Sequence, residues 1–448
     1  MRELSAFQKS REPASVRQHA RTSAPRRGRA APSVLLADER PAARYRIVVL
    51  NAPAESQTRS VLPIVRELRR RGHRMTYVTT REFAPSAAAT GVDVLVHDSC
   101  PTLGADANPE DCGPADARLV ADALDWAEEV DAAFRDDDPP DLVLYETSVH
   151  ATARFLTCRW GRPAVQILPS FAHRAQDAAE VGAALESTDV DDGSCARRLP
   201  GHIRERLYRF LTPGGMAGGA PSNFYTKPEP LSIALLPREF QTDGELFDGS
   251  VAFVGTCTPE CGVIDQWIPP STDLPVVFLA LDPELIEGGR ESLRACVSAL
   301  AEKSLHVVVL TPNGAAESLF AADDPPLNVE LHDHVPWATV LRRAAVFVCH
   351  SDLHSVMESL YFNTALVAVP TSHRQRAVAD RVVELDLGAH VSPDRAALGT
   401  LADVVTALVA DPGIARSVRE GQRWARNAGG ALRAADEIEG FLEWSYEP

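Results

Sequence analysis

The densest chemistry in the chain follows an apolar run. It is His350-Ser351-Asp352-Leu353-His354-Ser355-Val356-Met357-Glu358, directly after Ala345–Cys349. The apolar run reads as a buried strand and the segment after it as the start of a helix. A helix start presents unpaired backbone N–H groups and the positive end of the dipole, which suits a phosphate or another anion. Asp352 works against that use, because a carboxylate repels an anionic ligand. His354 and Arg374 are cations for an altered anion, or they stabilise helix ends; the residue types fit both. Glu55 and Gln57 follow the first strand, Glu146 follows the fourth, and His334 and the Arg374-Gln375 pair stand in later loops. Proton abstraction needs a group whose pKa lies near working pH, which favours imidazole. Glutamine has no useful basicity, and a carboxylate serves only where its surroundings tune it. No spacing suggests a metal site: Cys257 and Cys261 are loosely spaced and lack a second pair, so no metal is expected. The turn Asn51–Thr58 contains no glycine, so the NAD or FAD fingerprint is absent and no resident cofactor is expected.

Two successive strand–helix series must position these groups. Arg46–Leu50, Met75–Thr79, Val92–Val96, Leu142–Tyr145 and Ala164–Leu168 read as strands of a first series. Val276–Ala280, His306–Leu310, Val346–Cys349 and Ala365–Val369 form a second. Continuous apolar runs of this length, with helices between them, predict buried parallel strands. Helices are expected near Ser60–Arg71, Ala115–Phe134, Ile203–Phe210 and Ile438–Tyr446. The fold class is therefore α/β, with two facing doubly wound parallel-sheet (Rossmann-like) domains and ligands in the cleft at the carboxyl ends of their strands. The Gly-, Ala- and Asp-rich stretch 177–224 is either a functional or mobile segment or an inert surface insertion.

Composition narrows the partners. The chain has 448 residues, 45% hydrophobic and 24% charged, with a formal net charge of −17. That charge argues against nucleic acid or an anionic membrane surface as partner. No apolar run reaches the roughly 20 residues that span a bilayer. The first 44 residues carry a net +6, leaving −23 on the rest, and they read as a disordered basic tail. Eight scattered cysteines fit reduced thiols in a cytoplasm.

Several segments carry a resemblance in order along the chain. They are the Arg46–Leu50 strand with its Asn/Pro turn, Arg71-Gly72-His73, and Met75-Thr-Tyr-Val-Thr-Thr80. Asp141–Tyr145, Gly161–Gln166 and Phe253-Val-Gly-Thr256 follow, then Asn328–Pro336, Ala345–His350, Val367–Pro370 and Ala379–Gly388. The chain resembles the GT-B glycosyltransferases of bacterial natural-product pathways, the macrolide, UDP-glycosyltransferase-like group, over residues 45–448. The resemblance implies a 45–255 acceptor-side domain, a 256–436 donor-side domain and a 437–448 C-terminal helix behind the 1–44 tail. It implies inverting transfer of a sugar from a UDP- or TDP-type donor, as co-substrate, to a small-molecule acceptor.

The resemblance also locates departures. The base histidine of the family matches Gln57, its neighbouring histidine matches Glu55, and the acid that orients the base matches Glu146. On the donor side, His334 stands where the family has a base-stacking tryptophan. His350, Ser355, Glu358 and Gln375 keep their places. Asp352 replaces the glycine beside the phosphates, and Arg374 replaces an acid that holds sugar hydroxyls. Three readings follow. One is an active glycosyltransferase with a shifted mechanism, in which an acidic or already nucleophilic acceptor makes the missing histidine matter less. Another is a pseudoenzyme acting as protein partner of an intact transferase; oligomeric state, a homodimer included, is open. The last is a different reaction on the same scaffold.

Overall fold

The computed structural model describes residues 45–97, 117–135, 138–172, 200–211, 228–258, 267–311, 319–320, 324–394 and 398–447. The expected basic tail and most of the 177–224 stretch lie outside these residues.

In chain order the first half runs β1 (Arg46–Leu50), α1 (Glu55–Arg70), β2 (Arg74–Thr80), α2 (Ala84–Ala88), β3 (Asp93–His97), α3 (Ala117–Ala133), β4 (Leu142–Glu146), α4 (His150–Trp160), β5 (Ala164–Leu168), α5 (Gly201–Leu211), β6 (Ser232–Ala234) and β7 (Val251–Phe253). The second half runs β8 (Val276–Ala280), α6 (Gly289–Ala301), β9 (His306–Leu310), β10 (Val329–His332), α7 (Trp337–Leu341), β11 (Ala344–Cys349), α8 (Leu353–Tyr361), β12 (Ala365–Ala368), α9 (His373–Glu384), β13 (Gly388–His390), α10 (Leu401–Ala410), α11 (Pro412–Asn427) and α12 (Gly430–Tyr446).

All strand pairings are parallel, in a seven-stranded sheet of order β3-β2-β1-β4-β5-β6-β7 and a six-stranded sheet of order β10-β9-β8-β11-β12-β13. Each sheet reverses its strand order once, between β1 and β4 and between β8 and β11. A reversal opens a crevice at the carboxyl ends of the two strands. Residues 50–51 and 145–146 end at the first reversal, and residues 280–282 and 349–350 at the second.

The apolar runs are buried on both faces, as parallel strands require. In β1, Ile47 and Val49 pack with Val61, Ile64 and Leu68 of α1 and with Ile438, Phe441 and Leu442 of α12. Val48 and Leu50 point to the other face, against Leu124 and Ala127 of α3 and Phe155 of α4. The C-terminal helix is thus a layer of the first domain. It starts at Gly430 rather than near Ile438, because Gly429 and Gly430 take positive φ (97° and 56°) and turn the chain directly into it.

The chain crosses between domains twice, and the crossings touch. The Gly430 N–H donates to Val254 O at 2.7 Å. A Cβ on Gly255, whose φ is +74°, would sit 2.7 Å from Ala428 Cβ, so only glycine fits between the crossings.

One helix boundary bears on the site. The turn after β1 is shorter than the sequence suggests, and α1 begins at Glu55, with its acidic side chain in the first turn where the dipole favours it. Glu55 and Gln57 therefore stand on a helix and not in a loop.

Candidate functional site

At the first sheet's reversal, Asn51 follows β1 and Glu146 ends β4. Glu146 is 1% exposed. Its Oε1 accepts hydrogen bonds from the Ser148 N–H (3.0 Å) and hydroxyl (3.1 Å). Its Oε2 is buried and has no hydrogen-bond partner among the described residues. Burial pushes the carboxyl above its ordinary pKa of 4.5, while the Ser148 hydrogen bonds and the Arg374 charge pull the other way. Alongside, Asn51 Nδ2 donates to the Tyr77 hydroxyl at 2.8 Å, and the side-chain Oδ1 of Asn51 also lacks a partner among the described residues. The carboxyl end of this sheet is thus a buried polar floor with two acceptors unused.

Gln57 and Glu55 stand in the first turn of α1, the helix that follows β1. Gln57 is half-buried and its Oε1 accepts from the Ser56 hydroxyl at 2.7 Å; Glu55 is exposed. Neither is desolvated as Glu146 is.

At the second reversal, His350 closes the crevice. Its Nε2 accepts from the Asp282 backbone N–H at 2.8 Å, and its Nδ1 lies 3.0 Å from the Val369 carbonyl. A backbone N–H can only donate and a carbonyl can only accept, so the ring is the Nδ1–H tautomer. Burial holds its pKa below 6.5, which agrees with a neutral ring. His350 therefore ties the ends of β8, β11 and β12 together, and both its nitrogens are spent within the protein.

Asp352 caps α8. Its Oδ1 accepts from the Ser355 N–H (3.1 Å) and its Oδ2 from the Ser355 hydroxyl (2.6 Å). The donors that a bare helix start would offer a phosphate at residue 355 are thus already satisfied. Gln375 behaves likewise: with Ser372 it makes a capping box at α9, and its Oε1 also accepts from the Thr371 N–H and hydroxyl. His334 is exposed in the loop between β10 and α7, and Arg374 is exposed in the first turn of α9.

Glu358 is 1% exposed and reaches the other domain. Arg59 Nη2 of α1 pairs with its Oε2 at 2.7 Å, and the guanidinium lies 5.1 Å over the Trp337 ring. Ser60 Oγ lies 2.8 Å from His354 Nδ1. The Ser60 hydroxyl also lies 2.7 Å from the Ser56 carbonyl, to which it can only donate. Its single hydrogen goes there, so His354 Nδ1–H donates to Ser60. The other ring nitrogen stands 3.5 Å from Glu358 Oε2 without a hydrogen bond. Burial holds the His354 pKa below 6.5, and the Arg59 charge lowers it further. The start of α1 is thus seated on α7 and α8, which brings Gln57, Glu358 and the start of α8 into one cleft. The Arg374 charge acts on Glu146 from the donor-side domain.

The sequence reading missed Arg59, Ser60, Trp337, Asn51 and Tyr77. One signal was present for Arg59, a cation near the positive end of a helix, where the dipole disfavours it unless a partner lies elsewhere. No element of the sequence pairs positions 59 and 358.

No family model matches the chain. The oleandomycin glycosyltransferase of Streptomyces antibioticus is 31% identical over 410 residues, covering 90% of this chain and 92% of that one. The NDP-glycosyltransferase YjiC of Bacillus subtilis is 26% identical, covering 90% of this chain and 99% of the relative. Among solved structures, the calicheamicin glycosyltransferase CalG4 superposes with a TM-score of 0.73 at 28% identity, covering 90% of this chain and all of that one. Two parallel-sheet domains meeting at their switch points, with relatives matched along nearly their whole length, place this chain in the GT-B natural-product glycosyltransferase family.

Proposed function

We propose that the protein transfers a sugar from a nucleoside diphosphate donor, of the UDP or TDP type, to a hydroxyl of a small natural-product acceptor, with inversion at the anomeric carbon. The relatives named for an NDP donor and for oleandomycin support the two substrate classes. The observation that carries the chemistry is the unpartnered, buried Oε2 of Glu146 at the first switch point. An acceptor left without a partner in a native interior calls for a group with a hydrogen to give, and an acceptor hydroxyl is such a group.

In this reading Glu146 takes the place of the missing imidazole. Its oxygen removes the hydroxyl proton as the acceptor oxygen attacks the anomeric carbon. The bond from that carbon to the donor phosphate breaks on the opposite face, and the electron pair leaves with the nucleoside diphosphate. A carboxyl pushed upward by burial is a stronger base than a solvated one, and the Arg374 charge offsets part of that rise. Gln57, with its oxygen already occupied by Ser56, offers its amide hydrogens for positioning. The reading includes no metal ion and no resident cofactor; the nucleotide sugar is a co-substrate.

Incubating the full chain with UDP- and TDP-hexoses and a panel of phenolic and macrolide-type alcohols tests it by mass spectrometry. A glycoside and an equal amount of released nucleotide are expected. A panel in which no nucleotide is bound or released would overturn the proposal.

A further inference from the structure

The donor-side domain leaves a diphosphate short of partners. At the second switch point the carboxylates of Asp282 and Asp352 both bear electrostatically on His350, whose ring is neutral and fully bonded within the protein. Ser355 gives its hydroxyl and its N–H to Asp352. Arg374 is exposed in the first turn of α9, and its charge also bears on Glu146. A group carrying two or more negative charges will not settle beside two carboxylates unless a cation is brought to it.

Arg59 is such a cation. It arrives from the other domain, and Glu358 and the Trp337 face fix its guanidinium about one helical turn beyond Ser355 on α8. Its side chain is 31% exposed although its partner Glu358 is 2% exposed, so the guanidinium lies at the cleft wall and not beneath it. A guanidinium has five N–H donors. Only one hydrogen bond of this side chain, Nη2 to Glu358, is formed among the described residues. The remaining donors are held in a fixed plane by the ring and the carboxylate, which suits two-pronged recognition of phosphate oxygens.

We infer that Arg59 is the cation that takes the donor's diphosphate, presented to the donor-side domain by the acceptor-side domain, with Glu358 and Trp337 holding it in place. The inference rests on the transferase reading above and adds a binding residue that lies outside the donor half. It has a consequence for the cycle: the diphosphate is fully held only while α1 is seated on α8, so nucleotide binding favours the closed arrangement of the two domains.

Calorimetric titration of the full chain with UDP and with TDP, at low and at moderate salt, tests it. Arg59→Ala is expected to weaken the better-bound nucleotide by about 10- to 100-fold, the worth of one or two charge-assisted hydrogen bonds. Arg59→Lys should recover part of that loss, and the salt dependence should be flatter in Arg59→Ala than in the wild type. Thermal unfolding of Arg59→Ala and of the more conservative Arg59→Gln separates lost binding from lost folding, since Arg59→Gln should show the same weakening at near wild-type stability. Unchanged or tighter binding by a folded Arg59→Gln would overturn the inference and leave the transferase reading standing. A wild type that binds neither nucleotide would instead overturn the transferase reading, and the inference with it.

Discussion

Glu146 weakens the fold it belongs to. A carboxyl that is 1% exposed and has one unpartnered oxygen costs more than it returns. Its pKa is raised on folding, so the folded state holds the proton more tightly than the unfolded chain does. Stability from this group is complete below about 4.5 and is lost as pH rises through the folded value. Glu146→Gln removes the titration and can keep the Ser148 hydrogen bonds. It should therefore raise the melting temperature at pH 7, by a free energy on the order of 1 kcal/mol, and the gain should vanish toward pH 4. The histidines run the other way. His350 and His354 are both held below 6.5, so the unfolded chain takes up protons that the folded state refuses. Stability is intact above that pH and falls below it. His350→Ala should lower stability at pH 7.5 by roughly 1–3 kcal/mol, because the Asp282 N–H and the Val369 carbonyl lose their partner. The same variant should show a shallower decline between pH 7 and pH 5 in urea titrations. Residue identity made these positions visible in the sequence, since the matched places of His350, Glu146 and Gln57 could be read off directly. Their bonding could not be read, because His350 is tied to positions 68 and 19 residues away.

The elements divide the same way. β1, β8 and β9 are legible because each is a continuous apolar run buried on both faces. β6, β7 and β13 span three residues each, too short to show any period, and only the neighbouring strands define them. The start of α8 is the element where sequence and structure together decide function. Asp352 was read as hostile to a diphosphate, and its place as the cap of that helix explains why it is tolerated. Replacing a capping Asp by Gly costs only a few tenths of a kcal/mol, because glycine is itself an acceptable cap. Asp352→Gly should thus leave the unfolding midpoint nearly unchanged while freeing the Ser355 N–H and hydroxyl and removing a negative charge. Nucleotide affinity should rise by about 3- to 30-fold in calorimetry. Weaker binding by the folded variant would place the phosphates elsewhere in the cleft.

Across the whole molecule, the chain leaves the first domain at Val254–Thr256 and returns at Ala428–Gly430, so α12 closes a domain that began almost 400 residues earlier. Phe441 is 1% exposed in the core shared with α1. Phe441→Ala should cost about 3–5 kcal/mol in chemical denaturation and loosen α1, the helix that carries Gln57, Arg59 and Ser60 into the cleft. The Arg59–Glu358 ion pair links the domains at the site itself, and the Arg374 charge acts on Glu146 across the cleft. The most direct check on the account is a comparison of turnover by the wild type and Glu146→Gln with the same donor and acceptor. A loss of about 10²- to 10⁴-fold in kcat, with nucleotide affinity unchanged, is the result expected of a lost general base. Turnover by Glu146→Gln near the wild-type rate would contradict it.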